Sequence, residues 1–188
     1  MEKIIYGNEI YKMPNVAFRI MTLIFIIRNF FKPMSRCIDK FGIKKGSTVI
    51  DYGCGPGMYI KRASELVGNE GLVYAVDIHE LAIKSVKKLI TKYKLCNVKT
   101  LQTDGNKAKI SDNTADLIYA LDMFHMVKDY KSFLSELNRI GKPDCILILE
   151  DGHQPRKKSK EKVEKSGCWE IEKEYKKYMI CKPGWNDK

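Results

Sequence analysis

The sequence predicts an α/β fold: a doubly wound, mostly parallel Rossmann-like sheet with a C-terminal antiparallel hairpin, in a three-layer α/β/α arrangement. Three observations predict it. From residue 46 onward, short apolar, β-branched runs alternate with stretches of helical periodicity. The predicted strands are nearly all apolar, as expected of parallel strands covered on both faces. Two strand candidates near the C-terminus are joined so tightly that they must be antiparallel.

The first part of this alternation contains three strands and two helices. They are, in order, the strand GSTVIDYG (46–53), the helix MYIKRASELV (58–67), the strand LVYAVDI (72–78), the helix HELAIKSVKKLITKY (79–93) and the strand VKTLQTD (98–104). In the first helix, Ile60, Ala63 and Val67 share one face. Each strand is followed by a helix or a turn, which is the order of a parallel sheet.

The second part continues the alternation and then changes to the hairpin. In order, it contains the strand ADLIYAL (115–121), the helix DYKSFLSELNRI (129–140), the turn GKPD (141–144), the strand CILILED (145–151), the helix KKSKEKVEKSG (157–167) and the hairpin strands WEIEKEY (169–175) and YMICKP (178–183). No internal repeat or low-complexity linker separates these elements. We therefore predict one domain over residues 1–188, with a core over 35–183.

Residues 1–34 are predicted to form a helical lid or cap on that core. The segment Asn15–Phe31 is apolar around nearly its whole circumference, and such a helix is normally buried. Three placements remain open: a lid across the pocket mouth, a core helix beside Phe41 and Ile43, and a helix lying on a membrane surface. The apolar run at 20–27 spans about 12 Å as a helix, which is too short for a bilayer core of about 30 Å. No signal-peptide cleavage site follows it.

The composition is that of a globular protein, with 44% hydrophobic and 30% charged residues. The six cysteines are scattered singly, without a C-x-x-C pair, so we expect reduced thiols, no metal site and a cytoplasmic location. The net charge is +11, and the first 50 residues hold nine Lys or Arg against three Asp or Glu. A basic surface suits an acidic substrate, anionic lipid or RNA, or is only a solvated surface.

The segment VIDYGCGPGMYI (49–60) contains three glycines, Gly53, Gly55 and Gly57, in the spacing G-x-G-x-G. The dinucleotide fingerprint is G-x-G-x-x-G, and Met58 stands where its third glycine would fall. Asp51 precedes the loop, and its charge would repel a pyrophosphate but attract an ammonium and a sulfonium. We expect a helix opening at Met58 to offer its N–H groups to a carboxylate. An α-amino acid with a positively charged sulfur meets all of these requirements, and the sequence therefore predicts S-adenosylmethionine as the ligand.

Acidic residues also end the next two predicted strands. Asp77 is placed to accept hydrogen bonds from ribose hydroxyls, with its side chain pointing into the ligand site, and Ile78 is placed to pack on an adenine. Asp104 and Gly105 follow the third strand, where a carboxylate can accept from the adenine amino group. Asp77 would serve NAD equally well, so it predicts a nucleoside without choosing between the two cofactors.

These segments, together with DNTADLIYALDMFHMVKD (112–129), resemble class I S-adenosylmethionine-dependent methyltransferases. Within that class the chain is most similar to the small-molecule group that includes the ubiquinone/menaquinone-biosynthesis type. The resemblance implies an S-adenosyl-L-methionine site formed by the following residues: Asp51, Gly53, Cys54, Gly55, Gly57, Tyr59, Asp77, Ile78, Asp104, Gly105 and Leu121. A histidine pair often follows the fourth strand in that group; here the first matches as His125 and the second is Met126.

Methyl transfer requires an acceptor atom held in line with the methyl group, and a base only when the acceptor must lose a proton. His153 follows the fifth predicted strand and is our candidate base, with His125 and Arg156 as candidate substrate contacts, Arg156 for an anionic group. The predicted acceptor is a small molecule, anionic or lipid-like. Methylation of RNA or protein and a catalytically silent cofactor-binding module remain alternatives, although the N-P-P-Y motif of base-amine methylases is absent.

Overall fold

The computed structural model describes residues 5–6, 10–31 and 34–184. The strands are β1 Ile5–Tyr6, β2 Ile10–Tyr11, β3 Thr48–Tyr52, β4 Leu72–Asp77, β5 Val98–Gln102, β6 Ala115–Ala120, β7 Gly141–Glu150, β8 Trp169–Glu174 and β9 Tyr178–Pro183. The α-helices are α1 Asn15–Phe31, α2 Ile60–Val67, α3 Glu80–Tyr93, α4 Tyr130–Ile140 and α5 Arg156–Ser166. In the described residues, Met34–Lys40 and Phe124–Met126 are 3-10 helices.

The larger sheet has seven strands in the order β5-β4-β3-β6-β7-β9-β8, and β1 and β2 form a two-stranded sheet. The pairs β3–β4, β4–β5 and β6–β7 are parallel, whereas β9 runs antiparallel to both β7 and β8. The prediction of a mostly parallel sheet that ends in an antiparallel hairpin is therefore confirmed. The chain divides into two compact units, one of residues 12–102 and the other of residues 1–11 with 103–188.

The unit of residues 12–102 contains three parallel strands with α2 and α3. The buried faces of β3 and β4 include Val49, Ile50, Val73 and Ala75, each fully buried. Parallel strands of this kind need apolar residues on both faces, because helices cover both. Asp77 ends β4, and α3 begins at Glu80, so the turn between them is only two residues long.

The second unit contains β6, β7, the C-terminal hairpin, α4 and α5. Here one prediction is wrong: GKPD is not a turn, because β7 begins at Gly141. Ala115 pairs with Gly141 and Leu117 pairs with Ile146, so the register shifts between them. Pro143 cannot donate a ladder hydrogen bond, and the chain accommodates it with a bulge rather than by ending the strand.

The helix α1 occupies the predicted residues, but the expectation that it is buried is wrong. Phe18 is 5% exposed, whereas Val16, Leu23 and Ile26 on other sides are more than half exposed. Only one side of the helix therefore packs on the protein. Within the described ranges, no helix combines the length and apolarity needed to cross a membrane.

Candidate functional site

The glycine loop between β3 and α2 turns its first backbone N–H groups toward β4. Gly53 N and Cys54 N donate to the carbonyl of Val76 at 2.8 and 3.0 Å, and Gly55 N donates to Oδ2 of Asp77 at 2.8 Å. A phosphate-binding loop must instead present such groups to the ligand. These three donors are therefore engaged within the protein and do not face a pyrophosphate.

The three glycines have positive φ angles of 83°, 50° and 87° at Gly53, Gly55 and Gly57. Their surroundings differ. A methyl group on Gly57 would lie 2.8 Å from Cδ1 of Leu89 and 3.0 Å from Cγ2 of Val86, whereas one on Gly55 would meet nothing within 4 Å. Gly57 therefore permits α3 to pack closely on the loop, and Gly55 leaves open space in front of it.

The helix α2 begins at Ile60 and not at Met58, so the predicted helix opening is wrong by two residues. Residues 55–59 form turns, in which Gly57 N donates to the carbonyl of Cys54 at 3.0 Å and Ile60 N to that of Gly57 at 3.3 Å. Gly57 itself, with its left-handed φ, cannot be a residue of the right-handed helix. Tyr59 is the N-cap residue and makes no side-chain capping bond.

Two buried carboxylates give this loop a negative environment. Asp51 is 1% exposed and Asp77 is 9% exposed. Burial raises the pKa of the Cys54 thiol well above its ordinary value, and the charges of Asp77 and Asp51 raise it further. A thiolate is thus disfavoured beside them, whereas a cation is favoured. The ammonium and sulfonium of the predicted ligand match this environment.

Asp77 is bonded to the backbone through both oxygens. Besides the Gly55 bond, Oδ1 accepts from His79 N at 2.7 Å. The carboxylate therefore fastens the loop to β4, and its contact with ribose hydroxyls stays a prediction. Burial raises the pKa of Asp77 to about 6, against the opposing effect of the His79 and Gly55 N–H donors. Each oxygen retains a further lone pair for a ligand hydroxyl.

His79 joins α1 to the start of α3. Its Nδ1 accepts from Leu81 N at 3.1 Å, its Nε2 lies 3.1 Å from the carbonyl of Met13, and its ring stacks on Phe18 at 4.2 Å. Burial lowers its pKa, and the charge of Lys12 lowers it further. A neutral ring with its proton on Nε2 satisfies both hydrogen bonds. The adjacent Ile78, the predicted adenine contact, is half-buried.

The same unit contains a cavity of about 670 Å³ beside the glycine loop. The loop contributes residues 56–58, and α1 contributes Thr22 and Ile26. Ser85 of α3 donates to the carbonyl of Pro56 at 2.9 Å on the wall of this cavity. One edge of α1 therefore lies along a space that the glycine loop also lines.

The remaining predicted cofactor contacts lie in the unit that contains residues 103–188. Asp104 is exposed and accepts from Asn106 N at 2.9 Å, a bond that lowers its pKa. Gly105 N donates to Oγ1 of Thr103 at 3.1 Å, and Leu121, directly after β6, is 8% exposed. Asp104 and Gly105 therefore lie in a bend that side-chain hydrogen bonds hold, and their contact with an adenine stays a prediction, as does that of Leu121.

The structure brings His125 and His153 together, at the ends of neighbouring segments after β6 and β7. Their ring centroids are 4.9 Å apart in an edge-to-face arrangement, and His153 Nε2 lies 3.9 Å from Oδ1 of Asp122. A methyl group on Gly152 would lie 2.1 Å from His125 Nδ1, so only glycine permits this approach. Burial lowers the pKa of His125, and within the described residues its Nδ1 has no hydrogen-bond partner.

Lys162 supports this histidine pair, and sequence reasoning missed it. Its Nζ donates to the carbonyls of Phe124 and Val127 at 3.2 and 2.9 Å, on either side of the turn that carries His125. Burial lowers its pKa to about 8. In the sequence, Lys162 is one of several lysines in KKSKEKVEKSG. The only feature that sets it apart is its position next to Val163, which the structure shows to be buried.

Arg156 is bonded within the protein. Its Nε donates to both oxygens of Asp151 at 2.8 and 3.0 Å, and its terminal nitrogens donate to Glu174 and to the carbonyl of Tyr175 at 3.3 and 2.9 Å. These bonds tie the first turn of α5 to the hairpin. The predicted contact of Arg156 with an anionic substrate group stays a prediction.

The strand order, the G-x-G-x-G loop and its two buried acids are those of one class: a class I S-adenosylmethionine-dependent methyltransferase fold. The family model described as a methyltransferase domain matches residues 43–184. The chain therefore belongs to this methyltransferase family, and the resemblance predicted from the sequence is confirmed. A solved S-adenosylmethionine-dependent methyltransferase from Aquifex aeolicus is 27% identical, with a TM-score of 0.71, and the match covers 90% of this chain and 97% of that one.

Curated relatives are similar over a shorter share of their length. A demethylmenaquinone methyltransferase of Geobacillus stearothermophilus is 27% identical over 135 residues, which cover 72% of this chain and 58% of the relative. The ubiquinone/menaquinone biosynthesis C-methyltransferase UbiE of Teredinibacter turnerae is 32% identical over 127 residues, covering 67% and 51%. The chain thus spans between half and three fifths of the length of these two relatives.

Proposed function

We propose that this chain binds S-adenosylmethionine at the glycine loop and transfers the methyl group to a small, quinone-like acceptor. One observation supports the choice of cofactor: the N–H groups at the start of the loop donate within the protein, and two buried carboxylates, Asp51 and Asp77, lie beside the loop. When bound, S-adenosylmethionine supplies a methyl group activated by a sulfonium. Family membership and the names of the two curated relatives support the reaction and the acceptor class.

The loop residues have distinct roles in this proposal. The open space at Gly55 admits the methionine end, and the charge of Asp51 favours its ammonium and sulfonium. Asp77 accepts from ribose hydroxyls with the lone pairs left over from its backbone bonds, and Ile78 offers apolar surface to the adenine. Asp77 thereby couples ligand binding to the position of the loop.

The histidine pair serves the acceptor. Methyl transfer to a neutral acceptor requires that a proton be removed from the acceptor, from carbon or from a hydroxyl. His153 is the base that accepts this proton, because its side chain is 81% exposed and lies near Asp122. His125, held between Gly152 and the turn that Lys162 caps, forms a wall beside it and limits where the ring of His153 can lie. We propose that residues 1–34 act as a cap, attached at the start of α3 through the His79 contacts.

Two measurements test this proposal. Calorimetry should show binding of S-adenosylhomocysteine, the demethylated product, and no measurable NAD binding; equal affinity for NAD would contradict the cofactor assignment. Incubation with methyl-labelled S-adenosylmethionine and a cell extract should place the label in the small-molecule or lipid fraction. His153→Gln should slow that transfer while product affinity is retained, and Tyr175→Asn, an exposed change elsewhere, is the matched control.

A binding module without transferase activity predicts product binding with no label in any fraction. Label in the RNA or protein fraction would instead replace the proposed acceptor class. Each alternative therefore gives a pattern that differs from the proposal.

A further inference from the structure

The outer face of α1 is an exposed apolar stripe. Six large apolar side chains of α1 are between 53% and 69% exposed: Val16, Ile20, Leu23, Ile24, Ile26 and Ile27. At 3.6 residues per turn, all of them except Ile26 fall within an arc of about 100°, and the stripe that these five form is about 17 Å long. Ile26 lies about 60° beyond one edge of the stripe, on the side of Arg19. The opposite side carries Phe18, which is buried against His79. The helix is thus two-sided, with one apolar side packed on the protein and the other facing outward.

Positive charge borders this stripe on both flanks. Arg19 and Arg28 are exposed and lie on opposite sides of the stripe, each about 80–100° from its centre on the helix circumference. The helix sequence NVAFRIMTLIFIIRNFF contains no acidic residue. Arginine stems can lie along an apolar surface while their guanidinium groups reach phosphate oxygens. An apolar face with cationic borders is the pattern of helices that lie in the interface of an anionic membrane.

We propose that α1 docks this face on an anionic lipid bilayer, with its axis parallel to the membrane surface. The stripe enters the boundary between headgroups and acyl chains, and Arg19 and Arg28 contact lipid phosphates at its two edges. Charge complementarity favours this occupant over a second copy of the chain. A symmetric pairing of two stripes would bring four arginines to one interface without an acidic residue of either α1 to neutralise them.

Docking has a consequence for the cavity beside the glycine loop. Thr22 and Ile26, on the edge of α1, line the same 670 Å³ space as residues 56–58. A bilayer at the outer face of α1 would therefore lie against the helix that borders this space. Delivery of an apolar acceptor from the membrane rests on the proposed function, whereas the docking itself does not depend on it.

Vesicle binding by the full chain tests the inference. The protein should cosediment with vesicles of phosphatidylcholine mixed with phosphatidylglycerol, bind phosphatidylcholine alone more weakly, and lose affinity as salt rises. Ile20→Asn combined with Ile24→Asn should reduce partitioning at least about tenfold, because both side chains insert. Arg19→Gln and Arg28→Gln should each reduce it about fivefold on anionic vesicles.

The control is Tyr175→Asn, which removes a 38%-exposed aromatic side chain outside α1 and should leave partitioning unchanged. Circular dichroism and product binding show whether each variant remains folded. Absence of wild-type binding to anionic vesicles at low salt would overturn the inference. So would binding that survives the double isoleucine change, or a wild-type dimer in sedimentation equilibrium that this change dissociates.

Discussion

The substitutions Gly55→Ala and Gly57→Ala separate the two uses of the glycine loop. Both positions have positive φ, +50° and +87°, so each alanine costs about 1–2 kcal/mol of left-handed backbone strain. The new methyl group meets nothing within 4 Å at position 55. At position 57 it would lie 2.8 Å from Leu89 and 3.0 Å from Val86, and overpacking of this kind costs about 1–3 kcal/mol more.

We therefore expect Gly57→Ala to lower the free energy of unfolding by about 2–5 kcal/mol and Gly55→Ala by about 1–2 kcal/mol. Urea denaturation without ligand measures both values. Affinity for S-adenosylhomocysteine, measured by calorimetry, should change in the opposite order. Gly55→Ala fills the space proposed for the methionine end and should weaken binding at least about tenfold, whereas Gly57→Ala should change it less than about threefold.

Leu89→Ala provides the internal check, because it removes the side chain that the new methyl group would strike. The double variant Gly57→Ala with Leu89→Ala should be more stable than the sum of the two single effects predicts. Equal destabilisation by the two glycine substitutions would refute the packing role of Gly57. Unchanged affinity in Gly55→Ala would refute the position of the ligand.

Three further predictions concern other residues. Asp77→Asn should lower the free energy of product binding, measured by calorimetry, and the free energy of unfolding without ligand, measured in urea, by about 1–3 kcal/mol each. The reason is that its carboxylate accepts from Gly55 N and His79 N as well as from the proposed ligand, so a loss of affinity alone would contradict this. Folding raises the pKa of Asp77 from 3.8 to about 6, so its contribution to the free energy of unfolding should decrease as pH rises from about 4 to about 6. Product affinity should show the opposite trend and weaken when the pH is lowered past about 6. Both trends should vanish in Asp77→Asn. Lys162→Met should lower the free energy of unfolding by about 1–3 kcal/mol, because it leaves the carbonyls of Phe124 and Val127 unpaired. In the same urea denaturation assay, Lys160→Met, which removes an exposed ion pair with Glu174, should lower it by about 0–1 kcal/mol.

Much of the fold was predictable because its signals are local. The apolar runs at β3 and β4 and the helical spacing in α3 depend only on neighbouring residues, and the short link between β8 and β9 allows only an antiparallel pair. The strand β7 was predicted to begin four residues late because Pro143 and Gly141 are turn residues by composition. Pairing with β6 overrides that local preference, since a bulge accommodates the proline within the strand.

The class of cofactor was also predictable, because three glycines in the spacing G-x-G-x-G beside Asp51 favour a cationic ligand over a phosphate. The sequence did not predict the direction in which each group of the loop faces. The bond from Gly55 N to Asp77 and the contact that Gly57 allows with Leu89 join residues far apart in the chain. No local pattern specifies such partners.

By itself, the sequence determined the class of fold and the class of cofactor. The tertiary structure alone decided that α1 buries Phe18 and exposes its isoleucines, that Lys162 rather than its neighbours caps the His125 turn, and that His125 meets His153. Periodicity and composition report how much apolar surface a segment has. Whether that surface or a charged group is covered depends on which distant segments reach it, and only the folded chain determines that.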